Sequence, residues 1–355
     1  MTQALLTNNG ALIRSGGRCP ALQRGFAFTS PYGGCWLEHY YRNGCVDLFG
    51  AKVKTERHFQ GLISQSVELP RIVILGNFIV ERHAIQSLCR ELGIDTICSE
   101  DGFFPHYETL HADPLGFAWE SSLPRIVYRR VMDRQRSTAH AKRAQWLQFE
   151  RRELPVGVRR PFVLWPLQLI GDQVNRWDLN LSDWSCLLSH FRACLPSEYQ
   201  LVVKPHPRSK GCDDPTQSPA QMPNTVMLPK GCDLQSLIEQ SSALAGANST
   251  VLMEARLMFH KPAYTYARSW FTNHEDLFTV VSHRKPPRPL NRLDHLDDNR
   301  KLRSERLDDY TDWFLYQLLA RQFDRAAAAD WDALNQWMLR RTYRSFIEHG
   351  EEVFE

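Results

Sequence analysis

The chain of 355 residues is long enough for two globular domains, and its 43% hydrophobic and 23% charged content excludes a disordered protein. With 43 basic against 40 acidic residues the net charge is only +3, which argues against nucleic-acid binding but permits loose attraction to an anionic membrane surface. No apolar run reaches the length of a membrane span and no secretory leader opens the chain, so cytoplasmic residence is the expectation, with room for peripheral attachment.

Short β-branched runs alternate with helix-like segments along the chain, the pattern of parallel sheets with crossover helices. Arg71–Val80 (RIVILGNFIV) predicts a strand that enters a polar helix start near Glu81, and Asp95–Ser99 a second strand that delivers Glu100 at its carboxyl end. The basic tract Val127–Arg152 predicts a helix ended by Pro155. A new alternation then opens at Pro161, with strands at Pro161–Leu169, Gln200–Lys204, Ala243–Ala247 and Pro262–Tyr266. Polar, Pro-rich text from Lys210 to Pro223 reads as a surface loop. From Asp308 onward the chain reads as helices, with Trp313, Tyr316, Leu319 and Phe323 at helical spacing. This divides the chain into two Rossmann-like domains, 1–155 and 156–300, followed by C-terminal helices over 301–355 that either return to the first domain or dock elsewhere.

Four polar stretches follow apolar runs. Glu100-Asp101-Gly102 supplies acids at a strand end, where ligands of α/β proteins bind; its bland reading is a turn in which Gly102 takes a positive φ. Gln168-Leu-Ile-Gly171-Asp172 ends another strand. There Gly171 permits close approach of a ligand, Asp172 reads equally as a helix cap, and the Gln168 amide needs a partner. Lys204-Pro205-His206-Pro207-Arg208 holds three cations on a stretch stiffened by Pro205 and Pro207, a phosphate clamp that a solvated turn explains less well. Asn248-Ser249-Thr250 opens a helix whose positive end suits an anion, although ordinary capping accounts for it alone. Glu254, one turn further on, reads by itself as a solvated acid.

Other candidates carry less. The nine cysteines (Cys19, Cys35, Cys45, Cys89, Cys98, Cys186, Cys194, Cys212 and Cys232) are odd in number and include no Cys-x-x-Cys pair, so neither a disulfide framework nor a structural zinc site is expected. The histidines show no His-x-x-x-His spacing, so a zinc centre finds no support. Asp330-Trp331-Asp332 lies in an Ala-rich helical region rather than at a strand end, and the arginines of Arg125–Arg152 read as a solvated helix face.

In their order, these blocks resemble the bacterial capsule-polysaccharide Kdo transferases, which use CMP-activated 3-deoxy-octulosonic acid. The likeness is carried by Glu100-Asp101-Gly102-Phe103, by Thr109-Leu-His-Ala-Asp113-Pro-Leu-Gly116-Phe up to Ser121-Ser122-Leu123, and by Phe162–Asp172. It continues through Val202–Pro207, Ala245–Pro262, and Arg268-Ser-Trp270 through Asp276. The acidic, His-Pro and hydroxyl blocks are also similar to those of bacterial sialyltransferases, which use a related donor. Phe104-Pro105-His106 stands where members often have Leu-Arg-Ser, and Asn-Ser-Thr where some have Ser-Gln-Met-Gly.

The resemblance implies a GT-B fold, two Rossmann-like domains facing across a cleft, with the acceptor on the side of Glu100 and the donor on the second domain. It implies Asp172 as nucleophile, Glu100 as base, and His206, Lys204, Ser249 and Thr250 on the leaving phosphate. Gln168, Gly171, Pro207, Arg208 and Asn248 would line the donor site, Glu254 would hold the ribose, and Asp101 and Gly102 would stand beside Glu100. Neither metal nor cofactor is implied; the partners are CMP-Kdo, a glycan or glycolipid acceptor, and other polysaccharide-assembly enzymes. An inverting sialyltransferase-like reaction with Glu100 as sole base, a UDP-sugar enzyme, and a non-catalytic scaffold remain the alternatives.

Overall fold

The computed structural model describes residues 3–6, 12–15, 45–47, 57, 60, 72–75, 82–106, 108–170, 179, 184–209, 222–281, 300–324 and 331–354. Contacts divide the chain into two compact units, Met1–Ser122 with Gln317–Glu355, and Leu123–Tyr316. In chain order the first unit opens with β1 (Gln3–Leu6), β2 (Leu12–Ser15), β3 (Cys45–Asp47), β4 (Ile72–Leu75), α1 (Arg82–Glu91), β5 (Asp95–Asp101) and β6 (Thr109–Asp113). The second contains α2 (Asp133–Trp146), β7 (Phe162–Pro166), α3 (Ser185–Cys194), β8 (Gln200–Lys204), β9 (Thr225–Met227) and α4 (Leu234–Gln240). It continues with β10 (Ala243–Gly246), α5 (Thr250–Phe259), β11 (Ala263–Thr265), β12 (Thr279–Val280) and most of α6 (Arg300–Ala320). The chain ends in the first unit with β13 (Gln322–Asp324), α7 (Trp331–Arg340) and α8 (Tyr343–His349). This is the α/β class expected, with sheets fed by crossover helices and helices at the C-terminal end.

In the first unit a five-stranded sheet runs in the order β13-β6-β5-β4-β3. β3, β4 and β5 are parallel, whereas β6 and β13 add antiparallel. The step from α1 into β5 is made by Gly93, whose φ of +71° a side chain would resist, and the Ile94 N–H closes the helix on the Cys89 carbonyl at 2.7 Å. Ile97, Cys98, Ser99 and every residue of β6 are buried, so these strands sit inside the unit rather than at its surface.

The second unit is built on a six-stranded sheet in the order β12-β11-β10-β7-β8-β9, with all its pairings parallel. Every residue of β7, β8 and β10 is buried, as expected for parallel strands covered on both faces. Trp165 at the centre of the core meets Phe191 of α3 at 5.3 Å and Tyr266 at 5.5 Å between ring centres.

Several sequence expectations shift in detail. The basic tract is helical only over α2; residues 126–132 lie outside any helix or strand, and the Gln135 side chain accepts from the Met132 N–H at 3.0 Å where the helix begins. The sequence reading drew its domain boundary at 155. In the structure α2 groups with the second unit, because Arg143 donates to the Leu257 carbonyl and to Asp312 of α6, both at 2.9 Å. The buried apolar residues of α6 are Tyr310, Trp313, Phe314, Leu315 and Leu318, while Phe323 lies on β13 instead of extending that helix. The loop read between Lys210 and Pro223 falls, over 210–221, outside the described residues, as does Asp330.

Candidate functional site

The second unit brings three strand ends together at the carboxyl edge of its sheet. β7 is central, the chain leaves it for β8 on one side, and it later returns to β10 on the other. The junction of β7 and β10 is therefore the point where strand order reverses, the place at which open α/β sheets bind ligands. Gln168 follows β7 and Asn248 follows β10, and across that junction the two are locked. The Gln168 amide donates to Asn248 Oδ1 at 3.0 Å and accepts from the Asn248 backbone N–H at 3.2 Å. The partner that the Gln168 amide required is thus Asn248.

β8 ends on the other side of β7. At its end the Ser209 N–H and Oγ donate to the His206 carbonyl at 3.0 and 2.8 Å, tying the Pro205–Ser209 turn. The Arg208 backbone N–H donates to His206 Nδ1 at 3.1 Å. With Nδ1 accepting, a neutral imidazole carries its proton on Nε2. Arg208 and Pro207 are exposed beside it. Lys204 is differently employed. It is 6% exposed, its amine donates to the Lys230 carbonyl at 3.2 Å, and burial holds its pKa below the ordinary value.

Ser249 caps α5, its hydroxyl accepting from the Val251 N–H at 3.3 Å, and Thr250 is exposed at the first helical position. The ends of β8 and β10 stand two strand spacings apart, about 10 Å, roughly the reach of a nucleotide monophosphate. A histidine donor and a helix N-terminus framing that gap are suited to an anion. Glu254 is not a solvated acid: it is half-buried and accepts from the Trp146 indole N–H at 3.0 Å, and desolvation pushes its pKa up to about 7. Gly171 and Asp172 lie outside the described residues.

In the first unit Glu100 and Asp101 end β5 and are both half-buried. Gly102 is required by space rather than by φ. A Cβ there would fall 2.2 Å from Thr109 Oγ1, and the Gly102 N–H donates to the Thr109 carbonyl at 2.9 Å. Asp113, fully buried, accepts from the N–H groups of Leu115, Gly116 and Ser122 and from the Ser122 hydroxyl at 2.7 Å. It fixes the Asp113–Ser122 loop and is structural.

Sequence reasoning missed two residues in the same row as Glu100. Register places Glu100, His111 and Gln322 in one row across β5, β6 and β13. Gln322 accepts from the Phe103 and Phe104 N–H groups at 3.1 and 3.0 Å and donates to the Phe104 carbonyl at 2.8 Å, holding the turn after Glu100. His111 Nδ1 lies 3.7 Å from the Glu100 carboxylate. The signal was weak: His111 stood within a quoted block without a role, and Gln322 sits in text that reads as helix.

Elsewhere in the second unit, a cavity of about 310 Å³ lined by Phe149, Arg151, Glu239, Phe259, His260 and Lys261 lies toward the amino ends of the strands. Its charges are engaged already, since Arg151 pairs with Glu239 at 3.0 Å and Lys261 donates to the Ser241 carbonyl at 2.8 Å. Among the described residues no cluster of histidine, cysteine or acidic side chains could hold a metal, and no helix is long and apolar enough to cross a membrane.

Residues 103–274 match the family described as capsule polysaccharide biosynthesis protein. The resemblance to capsule-polysaccharide enzymes carried by the sequence blocks is shown over that segment. Among solved structures, the beta Kdo 2,7 transferase of Thermosulfurimonas dismutans KpsC is 16% identical, with 79% of this chain and 89% of that chain covered and a TM-score of 0.48. The beta Kdo 2,4 transferase of the same KpsC is 18% identical, covering 68% of this chain and 79% of that one at a TM-score of 0.47. Anabaena Alr3699/HepE in complex with UDP-glucose is 12% identical, covering 79% and 67% at a TM-score of 0.35. No curated protein matches the chain in sequence.

Proposed function

We propose that the chain is a GT-B-type glycosyltransferase of capsule biosynthesis that moves Kdo from CMP-Kdo to a glycan or glycolipid acceptor with retention. The observation that carries this reading is the carboxyl edge of the second sheet. There the Gln168–Asn248 lock marks the switch point, with His206 after β8 and the start of α5 after β10 on either side of the β7 end.

In this reading the cytidylate phosphate sits between His206 Nε2–H and the α5 terminus, which take up its charge as the glycosidic bond breaks. Asp172 attacks the anomeric carbon; CMP departs with the bonding pair, leaving a glycosyl-aspartate. The acceptor hydroxyl then gives its proton to Glu100 and attacks the same carbon, releasing Asp172. Glu254, its pKa pushed up to about 7, is about half protonated near pH 7, and in that form can donate to a ribose oxygen as well as accept.

The test uses CMP-Kdo generated in situ with a panel of glycan acceptors, the linkage read by NMR. Asp172→Asn is expected to abolish transfer while CMP binding persists, and Glu100→Gln to accumulate one sugar on the intact protein. An inverted product with no adduct in Glu100→Gln selects the sialyltransferase-like course instead. Stabilisation by UDP rather than CMP in a thermal-shift panel would discard the donor assignment.

A further inference from the structure

His111 is 1% exposed, and among the described residues neither of its ring nitrogens has a hydrogen-bond partner. An imidazole buried in that condition is disfavoured relative to a phenyl ring of similar shape, which would fill the space without desolvating two polar atoms. Its position is nevertheless well determined. It stands directly opposite Glu100 in the β5–β6 register, so the two side chains leave the same face of the sheet, and Nδ1 lies 3.7 Å from Glu100 Oε1.

The ring is braced from one side by Phe103, at 4.7 Å between ring centres, and Phe103 is itself pinned through its N–H by Gln322, the next residue in the row. Nearby Asp113, two residues along β6, is occupied by backbone and hydroxyl donors from its own loop. The Glu100 carboxylate is thus the acceptor to which the geometry directs Nδ1. A closure of about half an ångström makes the contact a hydrogen bond.

We propose that His111 is a positioning residue for Glu100: neutral imidazole donates Nδ1–H to one carboxylate oxygen and turns the other toward the acceptor hydroxyl. No proton moves to or from the imidazole in the transfer; it fixes the rotamer of the group that takes the proton. The proposal rests on Glu100 being the base, as in the proposed function, and adds a residue that neither the sequence blocks nor the comparisons single out.

The experiment separates the two. On the full chain, kcat and the donor KM for Kdo transfer are compared for wild type, His111→Phe, His111→Asn, His111→Gln and Glu100→Gln. Asparagine places its amide nitrogen where Nδ1 stood, whereas glutamine carries it about where Nε2 was. His111→Phe is expected to lower kcat by about tenfold to a hundredfold, with donor KM within twofold. His111→Asn should recover most of the loss and His111→Gln little of it. Full kcat in His111→Phe, or equal loss in the phenylalanine and asparagine variants, overturns the proposal.

A second readout does not depend on turnover. In the wild-type protein the His111 ring ¹⁵N–¹H signal, assigned by its disappearance in His111→Asn, should show a protonated Nδ1 and should move in Glu100→Gln. An Nδ1 without a proton overturns the assignment even where a variant fails to fold. Undiminished turnover in Glu100→Gln, with the NMR result as expected, would remove Glu100 as base while leaving the His111–Glu100 contact in place.

Discussion

Replacing Gln322 by leucine tests whether the turn after Glu100 is held from the far end of the chain. Gln322→Leu roughly keeps the side-chain volume but removes four hydrogen bonds, those accepted from the Phe103 and Phe104 N–H groups and, at a long 3.4 Å, from the Thr109 hydroxyl, and the one donated to the Phe104 carbonyl. At about 1 kcal/mol net per bond, reduced because Gln322 is half-buried and water can replace part of the loss, the expected destabilisation is roughly 2–3 kcal/mol. For a unit of this size that lowers Tm by roughly 4–12 °C. Urea unfolding followed by fluorescence and circular dichroism measures it as a fall in midpoint at constant slope. Gln322→Glu provides an internal scale: a carboxylate can still accept both N–H bonds but faces the Phe104 carbonyl without a proton to give, so its loss should fall between wild type and leucine. A leucine variant within 0.5 kcal/mol of wild type would show that these bonds are replaced by solvent at no cost. The inference that β13 fixes the Glu100 turn would then fail.

Three further outcomes are expected. Glu254 has a folded-state pKa of about 7 against an ordinary 4.5, so between those values the native chain binds more protons than the unfolded one and stability falls as pH rises. Glu254→Gln, which keeps an acceptor for the Trp146 indole, should match wild type near pH 4 and be more stable on the order of 2 kcal/mol at pH 8; parallel pH–stability curves would refute the burial argument. His206→Ala should weaken CMP binding by about tenfold, read by calorimetry, with unchanged affinity removing His206 from the phosphate site. Asn248→Ala removes the Oδ1 acceptor of the Gln168 amide group while keeping the backbone N–H bond to it, and should cost about 1–3 kcal/mol together with donor affinity; a change in neither would sever the lock from the site.

How much could be read in advance follows from what each element depends on. β8 carries its own signal, an apolar run closed by Lys204-Pro205, and its bounds agree with those read from the sequence. β13 does not: three residues become a strand only because β6, more than two hundred positions earlier, offers them an edge. α2 is shorter than the basic tract because arginine's helix propensity is a weak prior that tertiary context overrides before Asp133. Within the site, Gln168 announced a need for a partner but not its identity, which depends on the order of strands. Glu254 misled in the opposite sense, since an acid on a helix reads as solvated until a tryptophan from another helix covers it. The role of Gly102 was also misassigned, because close approach to Thr109 is a property of the β5–β6 pairing and leaves no trace in local sequence.

Supplying the edge strand of the first unit from residues that follow the second unit has a consequence for synthesis on the ribosome. The Leu123–Tyr316 unit is contiguous and can complete its hydrophobic interior as soon as it has emerged. The opening 122 residues must wait, with the outer edge of β6 uncovered, until Gln322–Asp324 and α8 arrive. A nascent chain halted before residue 317 would therefore expose an adhesive border, so premature termination should yield aggregates rather than a working fragment.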